Sequence, residues 1–512
     1  ITQNSYEKGM WSVADREFRG FGLVKSFDPE GNYSETEFLQ DDIYKGHIKE
    51  QRTYDSAGNL FSKVAYTWST PQLISTGVNF IFLKRKDNFV YDGDATGRRT
   101  AEEFFYDEPT QFGNLTKAIQ YGEVDLATGN DIPGDTRPIE TQYVNNTTSW
   151  ILGLPKLTTV KDNAGAFVRK TWFNYDTLAN GATPTKGLLT QKENWGGDQA
   201  GAQKPTTKYS YDNTYGNLKT TTDPKNKVTT INYDPTYNLF PLTTVNALNH
   251  TIVNEYYGVG VPVVPLDSGD GFKGLWGQLK STTDPNNQKG KRTYDVFGRP
   301  TASVSPLDSI TYPTAKSEYL LSSPLSLLTS RARVKTNDVR TIDSFDAYDG
   351  LGRLVLSKRY GPEPNQYIVS GLTSYNSRGL PSRQFLPYYS DKPLNIPEIV
   401  TTANPNTLTE YDPMGRVVKV TNPDGTYSTG EYKDWTTISI DENGHKQESD
   451  FDAYGRLIEK REYLGADGRS PNYPAQAFTL YATTKYKYDS EGNLIETRDH
   501  FNNLTTITYN VL

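Results

Sequence analysis

The sequence has no cysteine, two methionines and four histidines among 512 residues. Without cysteine there is no disulfide framework, no thiolate metal site and no cysteine nucleophile, a usage compatible with bacterial export. The histidines, His47, His250, His445 and His500, form no His-Glu-x-x-His or His-x-His arrangement and read as isolated turn or surface residues. No Gly-x-Ser-x-Gly elbow, Walker loop or dinucleotide fingerprint is present, and nothing singles out a carboxylate pair for glycoside cleavage. No run approaches the roughly 18 apolar residues that a membrane helix requires. The 54 Lys and Arg are scattered among 61 Asp and Glu for a net charge of -7, so no basic footprint for nucleic acid exists. The chain opens at Ile1 without a signal-peptide pattern and reads as a portion of something longer.

What the sequence has instead is aromatic polarity. Aromatic residues are 12% of the chain, with 36 tyrosines, while apolar residues of all kinds reach only 35% and mean hydropathy is -0.68. That is too aromatic for a disordered chain and too polar for a large solid core. Tyrosine can pack its ring on a neighbouring strand and keep its hydroxyl wet, and Tyr and Thr favour extended backbone. A sheet with water near both faces suits this balance.

One phrase recurs: an aromatic residue, an acid, a few variable positions, then Gly followed by Asn or Arg. It reads Tyr54-Asp55 to Gly58, Tyr211-Asp212 to Gly216, Tyr294-Asp295 to Gly298, Tyr348-Asp349 to Gly352, Tyr411-Asp412 to Gly415 and Tyr488-Asp489 to Gly492, with Phe451-Asp452 to Gly455 as a variant. Looser copies start at Tyr106, Tyr175, Tyr233 and Tyr375. Between copies lies a second turn signal, Asp223-Pro224, Asp284-Pro285 or Asn422-Pro423-Asp424-Gly425. Tyr211 to Tyr233 is 22 residues, and Tyr411 to Tyr432 and Tyr488 to Tyr509 are 21 each. A period near 20 is the mark of a stacked repeat.

Glycine supplies a positive-φ turn position while Asp and Asn bond the backbone around it, so each unit is expected to be a β-hairpin. The runs Val417–Thr421 and Leu494–Thr497 after two such turns read as strands. One hairpin is marginal in water, so each unit must lean on the next, with recurring tyrosines expected to form cross-strand ladders. The Tyr-Asp pairs are therefore read as scaffold, and the chain as no enzyme and as carrying no cofactor.

Asp92, Asp94, Thr96, Gly97 and Glu103 fall at positions 1, 3, 5, 6 and 12 of a calcium-loop pattern. Their flanks, Asn88 to Tyr91 and Phe104 to Tyr106, read as strands rather than EF-hand helices, and Arg99 replaces the usual apolar residue, so Tyr91-Asp92 to Gly97-Arg98 reads as a plain repeat turn, with calcium binding the alternative.

Tyr-Asp-x-x-Gly-Arg-Leu at this spacing resembles the RHS (YD) repeat, and the copies run from about Tyr54 to Tyr509. Upstream, Asp15-Arg16-Glu17-Phe18-Arg19-Gly20-Phe21-Gly22 is similar to a segment of the B component of bacterial insecticidal toxin complexes, close to where the shell of that component begins. The resemblance implies an all-β fold in which a continuous sheet of hairpins spirals to form part or all of a hollow shell, or cocoon. It implies a lead-in over residues 1–50 and a repeat shell over 51–512, with insertions near 259–272, 305–333 and 463–484. Tyr319-Leu320-Leu321 with Leu325 to Leu328, and Ala475 to Tyr481, within the last two, offer apolar runs for a short helix. The family's Gly-rich terminal core and self-cleavage motif do not occur before Leu512. The resemblance implies a secreted or cell-surface bacterial protein that encloses a cytotoxic or otherwise sequestered polypeptide, with other shell or toxin-complex components as partners. The alternative is an extracellular adhesion or carbohydrate-binding surface, with aromatic clusters near Trp195 or Trp276 turned outward.

Overall fold

The computed structural model describes residues 2–107, 112–197, 204–336, 338–394, 396, 398 and 404–509. Among these residues there is no helix. Twenty-six strands between Gln3 and Ser390 form one sheet, 11 strands between Thr373 and Thr506 form a second, and Gln72–Ser75 pairs with Val78–Phe80 in a small hairpin. Pairing is antiparallel and runs almost without exception from one strand to the next, so the chain is a long meander. Local pairing of this kind needs only short turns, which the Asp-x-x-Gly segments provide.

The strands cross the width of the strip, and the turns line its two long rims. From Tyr175 onward the Tyr-Asp turns lie on one rim, here called the YD rim, and the turns at Asp223, Asn246, Asp284, Asn422 and Asp441 lie on the opposite rim. The earliest copies, at Asp28, Asp55 and Asp92, sit on the opposite rim, because the repeat slips by one strand before Tyr175.

The second sheet returns to the start of the first and seats its YD rim on the opposite rim there. Partners across this seam are separated by 319 residues at Tyr454 and Asp135 and by 354 at Arg137 and Glu491. The strip is therefore a spiral whose circuit takes a little over 300 residues.

The surface shows how little of this spiral is solid. A compact protein of 57.5 kDa would expose roughly 19,000 Å², whereas this chain exposes 29239 Å². Its core is correspondingly small. One apolar cluster, Phe345, Ala347, Leu356, Val369, Leu372 and Phe385, is fully buried where the first sheet gives way to the second. Beside it the buried Lys358 ammonium lies 2.6 Å from the Glu398 carboxylate.

Two expectations are corrected. Residues 315–333 form no helix; Ala315–Leu320 and Ser326–Arg333 are regular ladder strands. Gln476–Tyr488 is likewise one long strand paired with Leu457–Ala466. An open ladder edge beside each segment satisfies its backbone, and their Ser, Thr and Tyr residues suit a pleated surface. Residues 259–272 do leave the ladder as an irregular excursion, anchored by the fully buried Tyr257 and Val259.

Leu356→Ala removes a fully buried side chain from the junction cluster. It is expected to cost about 2–5 kcal/mol, read as a lowered urea midpoint.

Candidate functional site: the turn rims and the seam

Each repeat turn is organised by its aspartate. In Asp349 to Arg353 the Oδ1 accepts the backbone N–H groups of Leu351 and Arg353 at 2.9 Å each, while Oδ2 accepts Arg353 Nε at 2.7 Å. Asp55, Asp295, Asp452 and Asp489 repeat the arrangement, with Asn59 or Asn493 taking the arginine's place in two of them. Asp412 accepts the same pair of bonds from Arg416. The Asp212 turn is one residue longer, with Gly216 at φ +74°. Gly58, Gly298, Gly352, Gly415 and Gly492 all stand at φ between +75° and +91°. On the opposite rim the same turn recurs with Asn226, Asn249 or Asn287 in the left-handed position, so the two turn signals of the sequence are one structure.

At Asp349 and Asp212 these bonds lower the carboxylate pKa. The Arg353 backbone N–H and guanidinium hold Asp349 below the ordinary range, and the Tyr215 N–H leads the same effect at Asp212. The contribution of these two turns is thus complete above the unfolded carboxylate pKa and is lost as pH falls through the depressed folded value.

The tyrosine couples one turn to the next. Its hydroxyl donates to the first carbonyl after the preceding turn: Tyr211 to Leu189 at 2.8 Å, Tyr294 to Leu279 at 2.9 Å, Tyr411 to Pro381 at 2.7 Å and Tyr488 to Leu457 at 2.9 Å. A β-bulge falls at each of these tyrosines and at Tyr54 and Tyr348, displacing the ladder where the strand meets the turn. Stacked tyrosine ladders are not the rule. Tyr54 stacks on Tyr33 at 4.7 Å because the two are directly paired, but successive rim tyrosines stand two strands, about 9.6 Å, apart. The turn arginine fills that gap: Arg353 lies 3.9 Å from the Tyr375 ring, Arg416 4.2 Å from Tyr432 and Arg456 5.1 Å from Tyr488. The sequence showed this recurring arginine but not its span across two turns.

The calcium-loop acids do not converge. Asp92 accepts Arg416 at 2.8 Å, Asp94 pairs with Lys433 at 3.2 Å, and Glu103 accepts the Tyr121 hydroxyl at 2.8 Å. Two of the three are seam residues, and burial there raises the Asp92 pKa against the pull of Arg416. Among the described residues no group of three His, Asp or Glu could hold a metal ion. The histidines lie in separate turns, His47 against Trp68 and His445 against Tyr473.

The seam joins polar tips to polar rims. Arg137 and Arg169 share Glu491 at 3.2 and 3.1 Å, Arg378 reaches Asp28 at 3.1 Å, Tyr454 donates to the Asp135 carbonyl at 2.7 Å and Arg98 covers the Trp435 ring at 5.3 Å. Clefts of 490 and 760 Å³ remain between the tiers, the larger lined by Trp195, Arg169, Glu491 and Tyr509.

Comparison with known proteins finds this fold elsewhere. Residues 1–51 match the family model of the insecticide toxin TcdB middle/N-terminal region. The fold superposes on the TcdB2-TccC3 structure with a TM-score of 0.74 and 15% identity, over 98% of this chain and 34% of that one. The same complex without its hypervariable C-terminal region gives 0.74 and 14%, over 98% and 36%. The Photorhabdus luminescens Tc holotoxin pore gives 0.72 and 14%, over 97% and 36%. The chain thus shares the fold of these TcdB2-TccC3 structures and spans about a third of their length. No curated protein matches the sequence.

Two measurements follow from this geometry. No atom lies within 4 Å of a Cβ built on Gly352, so Gly352→Ala is expected to cost about 1–2 kcal/mol through φ alone, and Gly352→Asn less, by urea titration. Glu491→Gln, which weakens the pairs to Arg137 and Arg169, is expected to speed hydrogen exchange in residues 446–498 at low salt, with a smaller difference from the parent at 0.5 M salt.

Proposed function

We propose that this chain is wall material of a secreted bacterial toxin capsule, acting by confinement of a cytotoxic or otherwise sequestered polypeptide and not by catalysis. The observation that carries the reading is the spiral itself. A strip that returns on its own rim after more than 300 residues, and exposes about half as much surface again as a compact chain of its mass, has the shape of a wall. The likeness to the crystal structure of TcdB2-TccC3 supports a partner that would complete the enclosure.

The wall's chemistry suits that task. Its surfaces carry many paired charges, such as Lys25 with Glu35 and Arg331 with Glu318, that an unfolded guest would meet. Confinement would withhold the guest from proteases and from the producing cell until delivery.

Intact mass spectrometry of the native material, paired with a low-resolution particle envelope, tests this. The expected result is a hollow particle holding a further polypeptide. A solitary, solid or flat particle with no companion would sink the capsule and favour an adhesion or carbohydrate-binding surface, which the half-exposed Trp276 could serve.

A further inference from the structure

The seam holds a third cleft, of 370 Å³, between the strands Leu83–Val90 and Arg98–Tyr106 of the first tier and Tyr427–Lys433, Thr436–Ile440 and Lys446–Phe451 of the second. The ladder continues to either side of it in both tiers. The first tier supplies Asn88, Val90 and Thr100, and the second supplies the rings of Tyr432, Trp435 and Phe451.

Trp435 reaches the cleft from a strained turn. Asp434 and Trp435 are the two central residues of the hairpin closed by Lys433 and Thr436, at φ +49° and +68°. Two left-handed residues make the turn that Asn-Gly suits, and a bulky side chain at the second position is out of place there. Such strain persists only where the surroundings impose it, and it gathers at ligand clamps. Here the surroundings belong to the first tier. Arg98 lies 5.3 Å from the indole ring, and Asp92, itself at φ +53°, accepts Arg416 at 2.8 Å.

The charges that line the cleft are all paired. Arg416 is neutralised by Asp92 and Asp412, Asp452 by Arg456 at 2.7 Å, and Arg98 beside the indole by Glu123 at 2.6 Å. The Thr100 hydroxyl accepts the Asn88 amide at 3.4 Å, while Asn88 Oδ1 and Thr437 Oγ1 bond no other described residue. Three rings thus line the cleft with about three hydrogen-bonding groups. A neutral sugar would bury more hydroxyls than these can satisfy, and each unsatisfied one is costly. An aromatic ring with one polar group leaves none over. The volume lies near the lower end of ligand pockets and admits a single ring system.

We propose that this cleft binds a small neutral aromatic molecule, of the size of an indole or a phenol, held between the two tiers by Trp435 and Tyr432. The site does not depend on what the shell encloses. Because both tiers line it, the ligand binds only the engaged seam and stabilises it by mass action.

The test uses the full chain with 5-fluorotryptophan at its seven tryptophan positions and indole as the probe; Trp435→Phe identifies the Trp435 fluorine resonance. Expected are a saturable shift of that resonance and slower hydrogen exchange in residues 83–106 and 427–455 together. Ala453 and Thr437 also line the cleft, and Ala453→Leu, with an unchanged urea midpoint, is expected to weaken binding at least tenfold by filling it. Thr437→Leu serves the same purpose should Ala453→Leu lower that midpoint. No saturable shift at Trp435, or an affinity that both substitutions leave unchanged, would overturn the site. Slower exchange in one tier alone would overturn the clamp. Glucose shifting the resonance where indole does not would assign a sugar and overturn the ligand class. A tripeptide Ala-Trp-Ala that binds at least tenfold tighter than indole would assign the cleft to a polypeptide side chain and overturn the small molecule.

Discussion

The structure depends on the aspartate that closes each turn. One carboxylate collects two backbone N–H groups and the side chain at the fourth position, and so converts five residues into a fixed corner. The corner brings two strands into register, and the tyrosine before it bonds back to the previous corner. A single hairpin gains little in water, but a hairpin whose hydroxyl and arginine are both engaged by its neighbours is held from two sides. Stability then accumulates along the strip instead of collecting in one core.

This explains why so polar a chain folds. The fully buried apolar cluster lies where the strip passes from its first sheet to its second, the place at which the simple ladder is interrupted. Elsewhere turn bonds, ring faces and guanidinium groups act beside separate buried apolar residues such as Val124, Val160 and Val304. The buried pair of Lys358 and Glu398 belongs to the same junction, and it gives that interruption one geometry because either charge alone would be costly there.

Much of the strip was legible from residues. Tyr411-Asp412 to Gly415 and the alternating Val417–Thr421 are seen in the structure as turn and strand. The second turn signal was also visible, but its identity with the first was not, because Asn287 and Gly298 look different in sequence and share only a positive φ. Residues 315–333 misled because a short apolar run fits helix or strand equally, and only an adjacent ladder edge decides. Asp92, Asp94 and Glu103 lie at ligand-like spacing in sequence, but the partners of the first two, Arg416 and Lys433, arrive from more than 300 residues away.

What the sequence by itself determined is the unit: where the chain turns, which residue takes positive φ, and that tyrosine recurs on a strip too polar for a solid core. These are local matters, settled by side-chain hydrogen bonding within five residues and by period. What only the tertiary structure decided is the seam and the rim on which each turn lies. Those follow from how the small bend at each strand pair accumulates over a whole circuit. No single repeat encodes that sum, so it emerges only when the strip comes round to meet itself.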